Sequence, residues 1–172
     1  MEGIPFMKKN YIDEISIRML GNGNAWDYDL ISILREMNDL NEKGRDGRTI
    51  LMHCCIYNFP ASFDFLIQHG ANINLQDGKG MSALHMAVLY EEHQFVETLL
   101  RSGANVDLVD VFGNNPFFRV KYYDTYMIRL LLNFHCDPYH KNNYGKSAFD
   151  ILSLHPETAC LFNGTGDGFH VQ

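Results

Sequence analysis

No stretch of this sequence approaches the roughly 18 consecutive apolar residues of a membrane-spanning helix. Lys8 and Lys9 are not followed by the apolar segment of about 7–15 residues that marks a secretory signal. Cations are the minority charge, 14 Lys and Arg against 21 Asp and Glu, which leaves a net charge of −7. Nucleic acid binding needs clustered Lys and Arg, so that class is excluded, and the balance favours a basic protein as partner. Cysteines are few: Cys54, Cys55, Cys136 and Cys160, two of them adjacent and none at disulfide-framework spacing. They read as reduced thiols, the location expected is cytoplasmic, and the sequon Asn163-Gly164-Thr165 is incidental.

Sites for chemistry are equally scarce. Gly21-Asn22-Gly23 lacks the preceding strand and the third glycine of a dinucleotide fingerprint. Gly78-Lys79-Gly80 falls on a turn, and residues 107–113 lack the closing Glu of a calcium loop. In His53-Cys54-Cys55 the neighbouring side chains of a helix diverge by about 100°, so a metal site is not expected. His135, Cys136 and His140 sit on a junction and serve no better. A nucleophile pair of Cys54 with His85 is set aside in the same way. No catalytic residue, metal, cofactor or small-molecule substrate is expected.

What the chain does have is a period. Gly47-Arg48-Thr49-Ile50-Leu51 returns as Gly80-Met81-Ser82-Ala83-Leu84, 33 residues later. Leu66-Ile67-Gln68-His69-Gly70-Ala71-Asn72 returns at the same interval as Leu99-Leu100-Arg101-Ser102-Gly103-Ala104-Asn105. A third copy opens at Gly113-Asn114-Asn115-Pro116-Phe117 and closes at Leu131-Leu132-Asn133-Phe134-His135-Cys136-Asp137. A partial fourth begins at Gly145-Lys146-Ser147-Ala148, 32 residues after Gly113, so the third copy has lost one residue. Upstream, Leu30-Ile31-Ser32-Ile33-Leu34 stands one period before residues 63–67.

These residues resemble the ankyrin family, whose unit reads Gly-x-Thr-Pro-Leu-His-x-Ala-Ala, then Leu-Leu and Gly-Ala-Asp/Asn. The second copy matches most closely, through Leu84, His85, Ala87, Leu99, Leu100, Gly103, Ala104 and Asn105, and the resemblance covers about residues 11–155. It implies an all-α solenoid of helix-turn-helix units with hairpin loops. The expected division is a tail at 1–10 and a repeat domain at 11–162, followed by a flexible tail at 163–172. Within the domain come a capping repeat at 11–43, repeats at 44–76, 77–109 and 110–141, and a C-terminal cap at 142–162. In the capping repeat, helices are expected over residues 11–20 and 27–37, joined by a long loop at 21–26.

Thr49 and Ser82 stand where a hydroxyl can satisfy the free amides of a helix start. Gly70 and Gly103 stand where a helix ends in a left-handed conformation. The third copy departs most, with Asn115 at the capping position, Phe118 for the histidine, Lys121 for a small residue and His135 for the glycine. Residues 112–144 hold 9 of the 22 aromatics, an enrichment that either marks an interface or refills a core disturbed by the deletion. Phe117 and Phe118 are read as core, and Tyr122 and Tyr123 as surface.

The resemblance implies a protein partner, bound by inner helices and hairpin tips that form a concave face. Tyr57, Tyr90 and Tyr122 recur on that face at intervals of 33 and 32 residues. With Asn58, Glu91 and Tyr123 beside them, and Asp77, Lys79 and Phe112 on the tips, they make up the expected binding set. Two alternatives stand. The tyrosines could be half-buried packing on the next layer, and Glu91-Glu92 could be solvated rather than a contact for Lys or Arg. Residues 113–119, 137–138 and 143–147 resemble small bacterial ankyrin proteins that serve as immunity partners of secreted toxins. The function this implies is occlusion of a toxin. The other reading is an adaptor, scaffold or inhibitor of a transcription factor-like protein, for which the chain has no evident second domain. Membrane and nucleic acid partners are not expected.

Overall fold

Repeats that each bury one face against the next can only be stable as a stack, and this is the architecture found. The computed structural model describes residues 11–22 and 26–162. The expected tails, 1–10 and 163–172, and the centre of the loop expected at 21–26 lie outside the described residues. Among the described residues nine α-helices follow one another: α1 (Tyr11–Asn22), α2 (Asp27–Glu36), α3 (Ile50–Tyr57), α4 (Pro60–Gln68), α5 (Ala83–Leu89), α6 (His93–Arg101), α7 (Thr125–Asn133), α8 (Ala148–Leu152) and α9 (Pro156–Phe162). Strand content among the described residues is two isolated bridges, Gln76 with Ser82 and Lys141 with Ser147, both at hairpin bases. The chain is therefore the all-α stack of helix-turn-helix units that its period implies.

The caps form as the residue types require. Thr49 Oγ1 accepts the Met52 amide at 3.4 Å. Ser82 makes a reciprocal box with His85, and Ser147 makes one with Asp150. The inner helices α3 and α5 are short and buried nearly all round, because each lies between two neighbours: α3 packs on α1 and α5, and α5 packs on α3 and the 3-10 turn at Pro116–Arg119. Leu51, Cys54 and Cys55 of α3 and Leu84, Ala87 and Val88 of α5 are fully buried. On the outer side α4 packs on α2, and Phe63 stacks on Phe95 of α6 with ring centroids 4.2 Å apart. The outer helices end in a left-handed residue at Gly70 and Gly103, with φ of +78° and +85°. His135 takes the same conformation at +62°, so the missing glycine alters the residue and not the turn.

The third unit differs from expectation. Where an inner α-helix would stand there is a 3-10 turn, Pro116–Arg119. Asn115 makes no side-chain cap; its Nδ2 instead donates to the Asp137 carbonyl at 2.8 Å. Val120 is already extended, with ψ of 136°, so the helix cannot propagate. Phe117 is fully buried and Phe118 packs partly against the core, so two large rings occupy the place of an inner helix.

The hairpins are tied tip to tip. Gly78 N–H donates to Asp46 O at 2.8 Å, Val111 N–H to Lys79 O at 2.9 Å, and Asn143 N–H to Phe112 O at 2.9 Å. Gly80 is required here, because a Cβ would come within 3.0 Å of the Asp110 backbone and its φ is +75°.

Candidate protein-binding face

The turns from inner to outer helix carry most of the expected contacts, and their geometry follows from the helix ends. After α3 the chain reverses through Asn58, at φ +55°, and after α5 through Glu91, at φ +60°. In the second unit Glu91 N–H donates to Val88 O at 3.2 Å and Glu92 N–H to Ala87 O at 2.9 Å. That reversal turns Tyr90 outward, 47% exposed. In the third unit the early end of the 3-10 turn brings Tyr122 and Tyr123 into the corresponding place, 46% and 53% exposed. Asp124 then caps α7 by accepting the Met127 amide at 2.9 Å.

Three of these side chains are brought together across the repeat boundary. Tyr123 Oη donates to Glu91 Oε1 at 3.1 Å, with Oε2 at 3.3 Å. This hydrogen bond to a carboxylate raises the Tyr123 phenol above its ordinary range. Tyr122 meets Tyr123 edge to face, centroids 5.3 Å apart, and lies flat on His155 at 4.0 Å. Glu91, Tyr122 and Tyr123 thus make one contiguous patch, anchored at one end by the final helix pair, and Tyr90 is exposed next to Glu91 in the chain.

Other expected contacts are placed differently. Tyr57 is half-buried, packed against the core and stacked on His53 of the same helix with ring centroids 5.9 Å apart. Asn58 is exposed beside it. Asp77 does not offer its side chain to a partner. That side chain is 2% exposed, and its Oδ1 accepts the Lys79 and Met81 amides at 2.8 and 2.9 Å. Asp110 closes the next hairpin in the same way, through the amides of Phe112 and Asn114. The carboxylate at this position is an internal clasp, which explains why an acidic residue at a projecting tip is nonetheless buried.

Lys79 and Phe112 are exposed on successive tips. Their row runs from Asp46 through Lys79 and Phe112 to Tyr144, charged at one end and aromatic at the other. Tyr144, 71% exposed, belongs to this row and was absent from the expected set. The spacing of 32 from Phe112 was enough to place it.

The buried polar groups serve structure. His85 Nδ1 accepts the Ser82 amide at 3.2 Å, which leaves the Nε2 proton for the Asn114 carbonyl at 3.1 Å. Burial holds its pKa down to about 4. Burial also pushes the Cys54 and Cys55 thiols far up and Cys136 up to about 12, away from the reactive thiolate. Among the described residues no group of three or more His, Cys, Asp or Glu is placed to hold a metal ion, and no helix is long and apolar enough to cross a membrane.

Comparison with known proteins agrees with the stack. The family model described as ankyrin repeats, in three copies, matches residues 21–110, just over half of the chain. An ankyrin repeat protein of Acanthamoeba polyphaga mimivirus is 39% identical over 80 residues, a match that covers 46% of this chain and 19% of that relative. The chain therefore spans about a fifth of the curated relative it matches.

Proposed function

The chain belongs to the ankyrin-repeat family, a protein-binding and non-catalytic family, and from that premise we propose that it acts by covering a protein partner with the patch around Tyr90, Tyr122 and Tyr123. The observation that carries this reading is the pair of exposed rings, Tyr122 and Tyr123, packed together and tied by Tyr123 to the exposed Glu91 of the preceding repeat, beside the exposed Tyr90. Exposed aromatic rings held by neighbouring contacts are rigid anchors, and such anchors supply most of the energy of protein interfaces. The tips at Lys79, Phe112 and Tyr144 extend the contact along the adjoining edge.

Occlusion of a toxin by an immunity protein is the form of this function that the resemblance of residues 113–119 and 143–147 supports, together with the net charge of −7. The four free thiols support a cytoplasmic setting. The adaptor reading is the alternative form of the same protein-binding function.

The test is to capture the partner from the native cell and measure its affinity for the wild type and for Tyr90→Ala and Tyr122→Ala, with a melting curve for each. A loss of about tenfold or more at unchanged stability is the expected result, consistent with about 2 kcal/mol for an interface anchor. Reduced stability with intact affinity would return these tyrosines to the core. A captured partner whose toxicity the chain suppresses on co-expression separates immunity from the adaptor role.

A further inference from the structure

Glu91 stands in the left-handed region, φ +60°, where residues other than glycine, asparagine and aspartate are uncommon and carry strain. The equivalent turn one repeat earlier gives this conformation to Asn58, a residue that tolerates it. The second repeat therefore puts a glutamate where the backbone disfavours one. A conformation that costs stability is retained where the side chain has other work. The Glu91 side chain is exposed, and its carboxylate takes one partner, the Tyr123 hydroxyl at 3.1 Å. Among the described residues no Lys or Arg forms an ion pair with it.

A carboxylate with open acceptor positions, beside the exposed Tyr123 phenol and next in the chain to the exposed Tyr90, has the chemistry that receives a guanidinium. The flat cation stacks on a tyrosine face while its parallel N–H groups reach the two carboxylate oxygens, a geometry that an ammonium cannot reproduce. The net charge of −7 attracts the same kind of group from a distance. We infer that Glu91, with Tyr90 and Tyr123, is a receptor for an arginine side chain of the partner protein. This rests on the reading of the patch as protein-binding and names the chemistry it selects.

The experiment selects randomised displayed peptides on the intact chain and compares the wild type with Glu91→Gln, Glu91→Gly and Tyr90→Ala, each checked by its melting curve. Peptides held by the wild type should carry arginine at a fixed place, and replacing that arginine by citrulline should weaken binding by about tenfold or more. Glu91→Gln should lose the same factor. Glu91→Gly should lose it while melting at a higher temperature than the wild type, which a merely structural glutamate would not give. Peptides that need Tyr90 but bind equally well with citrulline would overturn the arginine receptor and leave the binding face standing. If no peptide is sensitive to Tyr90→Ala, the face and the receptor fail together.

Discussion

Two imidazoles are buried in the layers, and their environment makes the stack sensitive to acid. Burial holds His53 down to about 4, against the pull of Asp46 and Asp13, and holds His85 down to about 4 beside Asp110 and Asp77. The ordinary value is 6.5, so between these limits the unfolded chain binds protons that the folded chain refuses. The contribution to stability is complete above 6.5 and is lost as pH falls toward 4. Urea unfolding at pH 7 and pH 5 should show a loss of about 2 kcal/mol per histidine. His53→Leu, which removes one of the two titrating groups, should halve the combined loss. At the same scale, Leu84 is 1% exposed between adjacent layers. Leu84→Ala should destabilise by about 2–5 kcal/mol in the same assay, as a buried truncation does. A change below about 0.5 kcal/mol, typical of a surface site, would mean that Leu84 does not lie between layers.

Between elements, the contacts that decide order are side chains reaching across one repeat. Phe59 offers no cap to α4, and Asp27, the first residue of α2, serves instead. Its two oxygens accept the Ala61 and Ser62 amides at 2.7 and 2.8 Å, and Ser62 Oγ returns a bond to the Asp27 carbonyl at 2.9 Å. Asp27→Ala leaves one buried and one partly buried donor unmet and should cost roughly 2–3 kcal/mol in urea unfolding, with Asp27→Asn costing less because its amide oxygen still accepts. Asp13 of α1 acts likewise on the hairpin ladder. Its Oδ1 accepts the Arg45 amide at 2.9 Å, standing in for the tip of a preceding repeat.

These contacts mark the boundary of what could be read from the chain alone. Thr49, Ser82 and His85 were legible because their partners lie three residues away and recur with the period. Asp27 and Asp13 were not, because their partners lie 32–35 residues distant and occur once. The 3-10 turn was half legible: the lost residue was plain, but nothing local showed that Asn115 would turn to Asp137. Asp77 was misplaced because a tip residue is expected to be exposed, while two amides draw its carboxylate inward. Tyr57 and Tyr90 share a place in the repeat and differ in exposure because His53 offers the first a ring to stack on.

At the scale of the whole molecule, each layer touches only its neighbours, so stability is close to a sum of adjacent interfaces. The surface, in contrast, is not a sum of equal units. Tyr28 on α2 apart, the exposed aromatic groups among the described residues lie from the second repeat onward: Tyr90, Phe112, Tyr122, Tyr123, Tyr126, Tyr139 and Tyr144. A binding face located on the turns and tips leaves the outer helices free. Hydrogen exchange of the chain alone and in complex with its captured partner tests this most directly. Protection on binding should concentrate in residues 89–92 and 121–124 and on the tips at 79, 112 and 144. Protection confined to the outer helices α4 and α6, with residues 89–92 and 121–124 unchanged, would contradict it.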